Sequence, residues 1–299
     1  MQGTPLMGAV LSAAKPSPAM IPTLAVFIPA GLLLVAHIWT LNDWSDYTGD
    51  RVVANKPSQA CASKVTRAAL LQISIGLLVG SLALFCLLPL RTLIIAGIIA
   101  VLGFAYSFPG IRAKGVVGLS SLAHLAGGIF HFLLGYSLFG NIDGRALLIS
   151  IFFSLVFTAG HATQEVQDYE DDLSSGVRTN AVVFGKKPVF LAAFTGFAIA
   201  FLYLPCLAVA GIVPDRLGFS ALFLPLQAAW TFHVLRSGLT REKLEWLRAR
   251  YRVVFGLIGL NIISLLFWPG CPTSAKLAGQ IKLTEAGFAW LDRGEHSAD

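Results

Sequence analysis

The sequence predicts an all-α polytopic membrane protein. Hydrophobic residues make up 56% of the chain and charged residues 13%, whereas a soluble domain carries about a quarter charged residues. Apolar runs of about twenty residues, the length that crosses a hydrocarbon core as a helix, recur along the whole chain. The four cysteines lack the spacing of a disulfide framework or a zinc site. These observations disfavour a large soluble core and a disulfide-bonded or zinc-stabilised domain.

The apolar runs define eight predicted spans, and polar connections separate them. The spans cover residues 20–41, 67–89, 92–108, 116–139, 146–164, 188–212, 217–236 and 251–269. A ninth apolar segment, residues 5–14, is too short to cross the bilayer at 1.5 Å per residue. We interpret it as the end of a first helix that is truncated. Residues 1–270 are therefore predicted as one transmembrane helical domain, and residues 271–299 as a polar C-terminal tail.

Positive charge is concentrated in alternate connections. One side of the predicted bundle carries fifteen lysines and arginines, in segments 42–67, 109–115, 165–187 and 236–252. The short connections on the opposite side carry three, namely Arg91, Arg145 and Arg216. Cytoplasmic loops of membrane proteins are enriched in lysine and arginine. The imbalance predicts an integral, multi-pass membrane protein with the four basic segments on the cytoplasmic side.

Two acidic triplets follow predicted spans on this same side. Both have the spacing i, i+3, i+7, which places three carboxylates on one helix face; they are Asp43, Asp46 and Asp50, and then Glu165, Asp168 and Asp172. Each member of the second triplet follows its counterpart by 122 residues. Three carboxylates on one face repel one another unless a cation lies among them. The repeat predicts that the two faces converge on shared ions.

Carboxylate oxygens without nearby cysteines or paired histidines suit Mg²⁺, which prefers a few carboxylates together with phosphate oxygens of a substrate. Basic residues on the same side are candidates for holding the rest of a polyanion; they are Arg51, Lys56, Arg112, Lys114 and Arg178. For any one of them, a plain positive-inside role explains the charge equally well. A diphosphate held at the mouth of an apolar bundle implies a lipid-like tail that lies inside the bundle.

Three motifs resemble those of the UbiA-type intramembrane prenyltransferases, over roughly residues 5–270. The pattern Asn42-Asp43-x-x-Asp46-x-x-x-Asp50 resembles that family's first aspartate-rich motif. The pattern Asp168-x-x-x-Asp172, followed by SSGVRT, resembles the second. Between them, AYSFPGIRAKG at residues 105–115 resembles the family's loop that contains a Tyr-Ser pair and a lysine.

The resemblance implies a bundle of nine transmembrane helices and an Mg²⁺-dependent transferase. In this family a prenyl diphosphate loses diphosphate, and a lipophilic acceptor, often an aromatic ring or quinone precursor, captures the allylic cation. The implied partners are therefore these two substrates and membrane lipid, with no nucleic acid. By motif position the expected catalytic residues are Asn42, Asp46, Tyr106, Asp168 and Asp172. The expected metal-binding set is Asn42, Asp43, Asp46, Asp50, Glu165, Asp168 and Asp172.

Further expectations concern the diphosphate and the acceptor. The resemblance assigns Lys114 and Arg112 to the diphosphate and places Tyr106 near the reacting carbon. In the loop after the first motif, Gln59 and Ala60 stand where the family has Arg-Pro. Most histidines in or near the spans are expected to be packed and hydrogen-bonded; they are His37, His124, His131, His161 and His233. His124 and His131, seven apart on one helix face, are also candidates for contact with the acceptor.

Three other functions remain open at the level of sequence. A terpene cyclase of the same fold would use the same ionising residues and quench the cation with the substrate's own double bond. An ion-coupled transporter would also place acids in a membrane domain, although transporters usually place them near the midplane. A non-catalytic lipid-binding relative is the third possibility, because of Gln59 and Ala60.

Overall fold

The computed structural model describes residues 3–13, 20–50 and 64–266, without the side chains of residues 49, 50 and 266. Within these residues the regular structure is helical throughout. The α-helices are α1 Gly3–Ser12, α2 Met20–Asp50, α3 Arg67–Phe85, α4 Leu90–Ser107, α5 Leu119–Tyr136, α6 Gly144–Gln167, α7 Tyr169–Ser174, α8 Asn180–Phe184, α9 Lys186–Val209, α10 Phe223–Arg236 and α11 Arg241–Ile263. Short 3₁₀ helices cover Ala113–Gly115, Asp215–Leu222 and Ser264–Leu266. The predicted all-α membrane architecture is confirmed.

Seven helical segments are long and apolar enough to cross a membrane. They are α2 through Thr48, α3, α4, α5, α6, α9, and the continuous segment Asp215–Arg236. These correspond to seven of the eight predicted spans. The eighth, 251–269, lies partly in α11, whose first half is rich in arginine, and residues 267–269 are outside the described part of the chain. The described residues therefore do not reach the expected count of nine spanning helices.

Helix α2 extends further than the hydropathy pattern indicates. Its predicted span ended at residue 41, but the helix continues to Asp50 over 31 residues, a length of about 46 Å. The first acidic triplet therefore lies on the last turns of the same helix. Large apolar side chains on its outer surface are exposed, among them Ile28, Leu32 and Trp39 at 46%, 48% and 60%. An outward-facing apolar surface of this kind is what lipid contact requires.

Helix α1 packs backbone against backbone on the second half of α5. A Cβ atom added at Gly135 would overlap the carbonyl oxygen of Pro5, and one added at Gly8 would overlap that of Phe132. Small residues at such crossings let two membrane helices approach closely. Helix α1 has ten described residues, or about 15 Å, against a hydrocarbon core of about 30 Å. It contacts the end of α5 that is remote from the acidic triplets.

The three arginines of the opposite side bind backbone carbonyls at helix ends. Arg91 Nε donates to Ser137 O at 2.6 Å, and Arg145 Nε donates to Ile212 O at 2.9 Å. Arg216 Nη2 donates to Asn261 O at 3.2 Å. The last carbonyls of a helix have no partner within it and carry partial negative charge. These arginines therefore join neighbouring helices at one end of the bundle, whereas the acidic triplets lie at the other end.

Candidate active site

The two acidic motifs line one cavity of about 540 Å³ between α2, α4, α5 and α6. Asn42 and Asp46 contribute from α2, whereas Glu165, Asp168 and Asp172 contribute from the end of α6 and from α7. The structure thus brings together two segments that are 122 residues apart, as the repeated spacing predicts. Below this mouth the walls become apolar and aromatic, with Val35, Ile38, Ile99, Leu102 and Phe157.

Lys114 connects the first motif to the loop after α4. Its Nζ atom lies 2.5 Å from both carboxylate oxygens of Asp46 and 2.9 Å from Asn42 Oδ1. Arg112 Nη2 lies 3.6 Å from Asp46 Oδ1. Lys114 is only 9% exposed, and a buried ammonium is tolerated when it is paired. Two oxygen-bearing side chains of α2 therefore already converge on one cation.

Local backbone geometry directs these two cations towards the cavity. The chain leaves α4 at Ser107, and the Ser45 hydroxyl donates to its carbonyl at 2.5 Å. Arg112 has φ 43° and ψ 53°, a left-handed conformation that is uncommon for a residue with a side chain. The 3₁₀ turn Ala113–Gly115 follows at once. This sharp turn folds the loop back over the end of α2.

The second motif lies across a break between α6 and α7. Asp168 separates the two helices, with φ −90° and ψ 6°, and its carbonyl accepts from Asp172 N at 2.9 Å. Helix α11 supports this break from outside the cavity. Arg241 Nη1 donates to Asp171 Oδ2 at 2.9 Å, and this hydrogen bond raises the pKa of Arg241 above its usual value.

Glu165 is 3% exposed and its carboxylate is surrounded by protein donors. Ser120 Oγ donates to Oε1 at 2.9 Å, and Asn180 Nδ2 donates to Oε2 at 2.9 Å. His161 Nε2 lies 3.0 Å from Oε1. Asn180 also accepts from Gly118 N at 2.8 Å. Sequence reasoning missed Asn180, although its position one residue after SSGVRT associates it with the second motif.

A layer of rings lies just beneath the acidic mouth. His124 and His161 are stacked, with centroids 3.5 Å apart and planes 5° apart. The ring of Tyr106 meets both edge-on, at 5.1 Å and 6.3 Å. His131 lies deeper in the same cavity. The shared face of His124 and His131 follows from their spacing, but the pairing with His161 does not, because that residue belongs to another helix.

The remaining predicted residues have different positions. Asp43 is partly buried on α2, and within the described part of the chain it is not among the cavity-lining residues. Arg178 is exposed and is not among them either, although its neighbours Val177 and Thr179 are. The side chain of Asp50 is not described, and Arg51 and Lys56 lie outside the described residues.

A model of the UbiA prenyltransferase family matches residues 3–257. The chain belongs to the UbiA prenyltransferase family. The expected resemblance is thereby confirmed over nearly the whole chain.

Two curated proteins illustrate the range of the UbiA relatives. The chain is 27% identical over 224 residues to the 4-hydroxybenzoate octaprenyltransferase of Thiobacillus denitrificans, covering 73% of this chain and 72% of the relative. It is 29% identical over 176 residues to the digeranylgeranylglyceryl phosphate synthase of Thermococcus gammatolerans, covering 58% of this chain and 62% of the relative.

Solved UbiA structures share the fold. A UbiA homologue from Archaeoglobus fulgidus, determined with GPP and Mg²⁺ bound, aligns with a TM-score of 0.72 at 16% identity, over 89% of this chain and 96% of the other. A structure of digeranylgeranylglyceryl phosphate synthase aligns with a TM-score of 0.65 at 18% identity, over 89% and 93%. At these identities the likeness concerns the arrangement of helices.

Proposed function

We propose that this protein transfers a prenyl group from a prenyl diphosphate to a lipophilic acceptor within the membrane. The observation that carries the proposal is the cavity itself, which runs from two acidic motifs and two cations to an apolar interior. A prenyl diphosphate has the same division into an anionic head and an apolar tail. The named activities of the family and of the two relatives support this assignment.

The residues at the mouth fit Mg²⁺ that is shared with the diphosphate. The oxygens of Asn42 and Asp46 already converge on the ammonium of Lys114. Within the described residues, no three His, Cys, Asp or Glu side chains form a metal-binding group of their own. Mg²⁺ often takes one or two carboxylates and completes its shell with phosphate oxygens and water, which matches an incomplete protein ligand set.

We assign Asn42 and Asp46 on one wall and Asp168 and Asp172 on the other to the metal ions. When bound, Mg²⁺ would neutralise charge that develops on the departing diphosphate. Asp43 and Asp50 would add negative charge behind the first pair. Glu165 is better suited to a supporting role than to metal ligation, because Ser120 and Asn180 donate to its oxygens.

The cations and rings of the cavity suit the separation of charge in the reaction. The bond between the prenyl C1 and the diphosphate oxygen breaks, and its electron pair leaves with the diphosphate. Lys114 and Arg112 would hold that group through charge-assisted hydrogen bonds, with Arg51, Lys56 and Arg178 as outer contacts. The Tyr106 ring would face the cationic carbon, and the apolar walls would keep water away. The acceptor then forms a bond to C1 and loses a proton.

Sidedness is also part of the proposal. The acidic mouth lies at the end of the bundle that carries the four basic segments, and the rule for positive loops supports a cytoplasmic location. The alternative of a terpene cyclase keeps the same ionising residues but needs no second substrate.

Product analysis of the purified protein tests the proposal. The protein is incubated with Mg²⁺ and a labelled prenyl diphosphate, with and without 4-hydroxybenzoate, a hydroquinone or an isoprenoid glycerol phosphate. We expect a labelled prenylated acceptor in the reactions that contain an acceptor, and no labelled product in the reaction without one. A cyclic hydrocarbon from the diphosphate alone would instead identify a cyclase.

Asp46→Ala and Asp168→Ala should each lower turnover by about 10²–10³, the usual cost of one electrostatic contact to a transition state. Glu242→Ala is the matched control, because its side chain is 87% exposed on α11. Turnover near that of the wild type in either aspartate variant, at saturating Mg²⁺, would contradict the assigned roles.

A further inference from the structure

His124 lines the cavity and can offer it a hydrogen-bond acceptor. Its Nδ1 lies 2.8 Å from the carbonyl oxygen of Ser120. A carbonyl only accepts, so Nδ1 carries a hydrogen, and in the neutral ring Nε2 then keeps its lone pair. The ring also lies against Tyr106, with centroids 5.1 Å apart. A neutral imidazole therefore lies beside the tyrosine that our proposed function places near the reacting carbon.

The neighbours of His124 fix both its orientation and its neutral form. Its ring is stacked 3.5 Å from that of His161, and His161 Nε2 lies 3.0 Å from Glu165 Oε1. A positive charge on the ring of His124 would be buried without a contacting carboxylate, because the contact with Glu165 is made by His161. Asn180 and Ser120 hold Glu165 in turn. The lone pair of His124 is thus a rigidly supported feature of the cavity.

The charges around this layer discriminate against an anionic ligand. Among the described residues that line the cavity, the lysine and arginine side chains are Lys114 and Arg112, and both are directed at Asp46 in the mouth. The charged group that contacts the stacked histidines within the described residues is the carboxylate of Glu165, 3.0 Å from His161 Nε2. A carboxylate that reached His124 would lose its hydration without gaining a cation from the described cavity lining, which carries a large penalty.

We propose that His124 Nε2 accepts a hydrogen bond from the hydroxyl group of an uncharged acceptor, a phenol or an alcohol. This inference rests on the proposed transferase function and specifies its second substrate. The proposed acceptor also differs from 4-hydroxybenzoate, the compound in the name of a relative, because it carries no negative charge. The hydroxyl group is recognised beside Tyr106, and a carboxylate on the same molecule is disfavoured.

Three matched aromatic compounds test the inference by calorimetric binding to the full chain. The protein is first loaded with Mg²⁺ and a prenyl diphosphate analogue from which the diphosphate cannot depart. 4-Hydroxybenzoate, its methyl ester and the O-methyl ether of that ester differ in charge and in the hydroxyl donor. We expect the ester to bind up to about tenfold more tightly than its ether, the most that one net hydrogen bond contributes, and also more tightly than 4-hydroxybenzoate, whose carboxylate must be desolvated.

Two substitutions separate hydrogen bonding from packing. In His124→Phe, which keeps a stacked ring, the ester and its ether should bind equally. His124→Gln restores an acceptor oxygen and should restore a preference for the ester over the ether. His233→Gln is the control, since that histidine is exposed on α10 and should leave all three affinities unchanged.

The outcomes also separate this inference from the proposed function. If the diphosphate analogue does not bind with Mg²⁺, the transferase proposal fails and the inference fails with it. If the analogue binds, only the acceptor inference is at stake. Equal affinity for 4-hydroxybenzoate and its ester, failure of all three compounds to bind, or an unchanged preference in His124→Phe would each overturn it.

Discussion

At the scale of single residues, Lys114 combines burial with a formal charge. It is 9% exposed and contacts both oxygens of Asp46. Removal of one partner from a buried ion pair is strongly destabilising, because it leaves the other charge uncompensated. The same ammonium is positioned to contact the diphosphate. A substitution at this position should therefore affect both folding and activity.

We expect Lys114→Met to lower kcat by about 10²–10³ and to lower the thermal unfolding midpoint. Lys114→Arg keeps the charge but changes its geometry. Its kcat and its unfolding midpoint should lie between those of the wild type and those of Lys114→Met. Turnover and thermal unfolding are measured on the same preparation. Lys187→Met, which alters an exposed lysine of α9, is the control. A Lys114→Met variant with normal turnover would remove the residue from the site.

Asn180 matters for stability as well as for the site. Its amide nitrogen donates to Glu165, and its oxygen accepts from Gly118 N. Asn180→Ala would leave these buried groups partly unsatisfied, at a cost of about 1–3 kcal/mol. Glu242→Ala, whose side chain is 87% exposed, should cost less than about 0.5 kcal/mol. Denaturation in detergent compares the two, and equal stabilities would show that the network around Glu165 contributes little.

At the scale of elements, the crossing of α1 and α5 depends on glycine. A Cβ at Gly135 has no room against Pro5, whereas one at Gly97 on α4 meets nothing within 4 Å. We expect Gly135→Ala to separate the helices and lower the unfolding midpoint, and Gly97→Ala to leave it unchanged or raised. The cavity mouth lies elsewhere, so the folded fraction of Gly135→Ala should keep its activity. Equal midpoints would indicate that α1 is not closely packed.

The elements also show how far sequence reasoning extends. Hydropathy located seven spans, because apolar length is set by the thickness of the bilayer. It ended α2 too early, because the acidic turn is polar and yet remains helical. Hydropathy could not predict which side chains contact Asp46 and Glu165. Lys114 lies 68 residues from Asp46, and Asn180 reaches Glu165 only because α8 folds back on α6. Such contacts depend on tertiary packing.

At the scale of the whole molecule, the two ends of the bundle differ in chemistry. One end is closed by Arg91, Arg145 and Arg216 on helix carbonyls. The other end carries the acids, the basic segments and the opening of the cavity. This polarity along the bundle axis makes its orientation in the membrane a testable property.

Single-cysteine variants in a cysteine-free background can measure the orientation. Asn141→Cys lies at the end closed by arginines, and Ser174→Cys lies beside the second acidic motif. If the basic segments are cytoplasmic, a membrane-impermeant maleimide should label Asn141→Cys in intact cells and Ser174→Cys only after permeabilisation. The reverse pattern would place the acidic mouth outside.

The length of α2 has a consequence for how products leave. A helix of 31 residues exceeds a hydrocarbon core of about 30 Å by roughly ten residues. If its first residue lies at one boundary of that core, Asp43 and Asp46 lie at the level of the lipid headgroups on the other side. Diphosphate released there enters water directly, whereas a prenylated product partitions sideways into the leaflet. We expect the two products to depart by separate exits, so that accumulation of one does not obstruct the departure of the other.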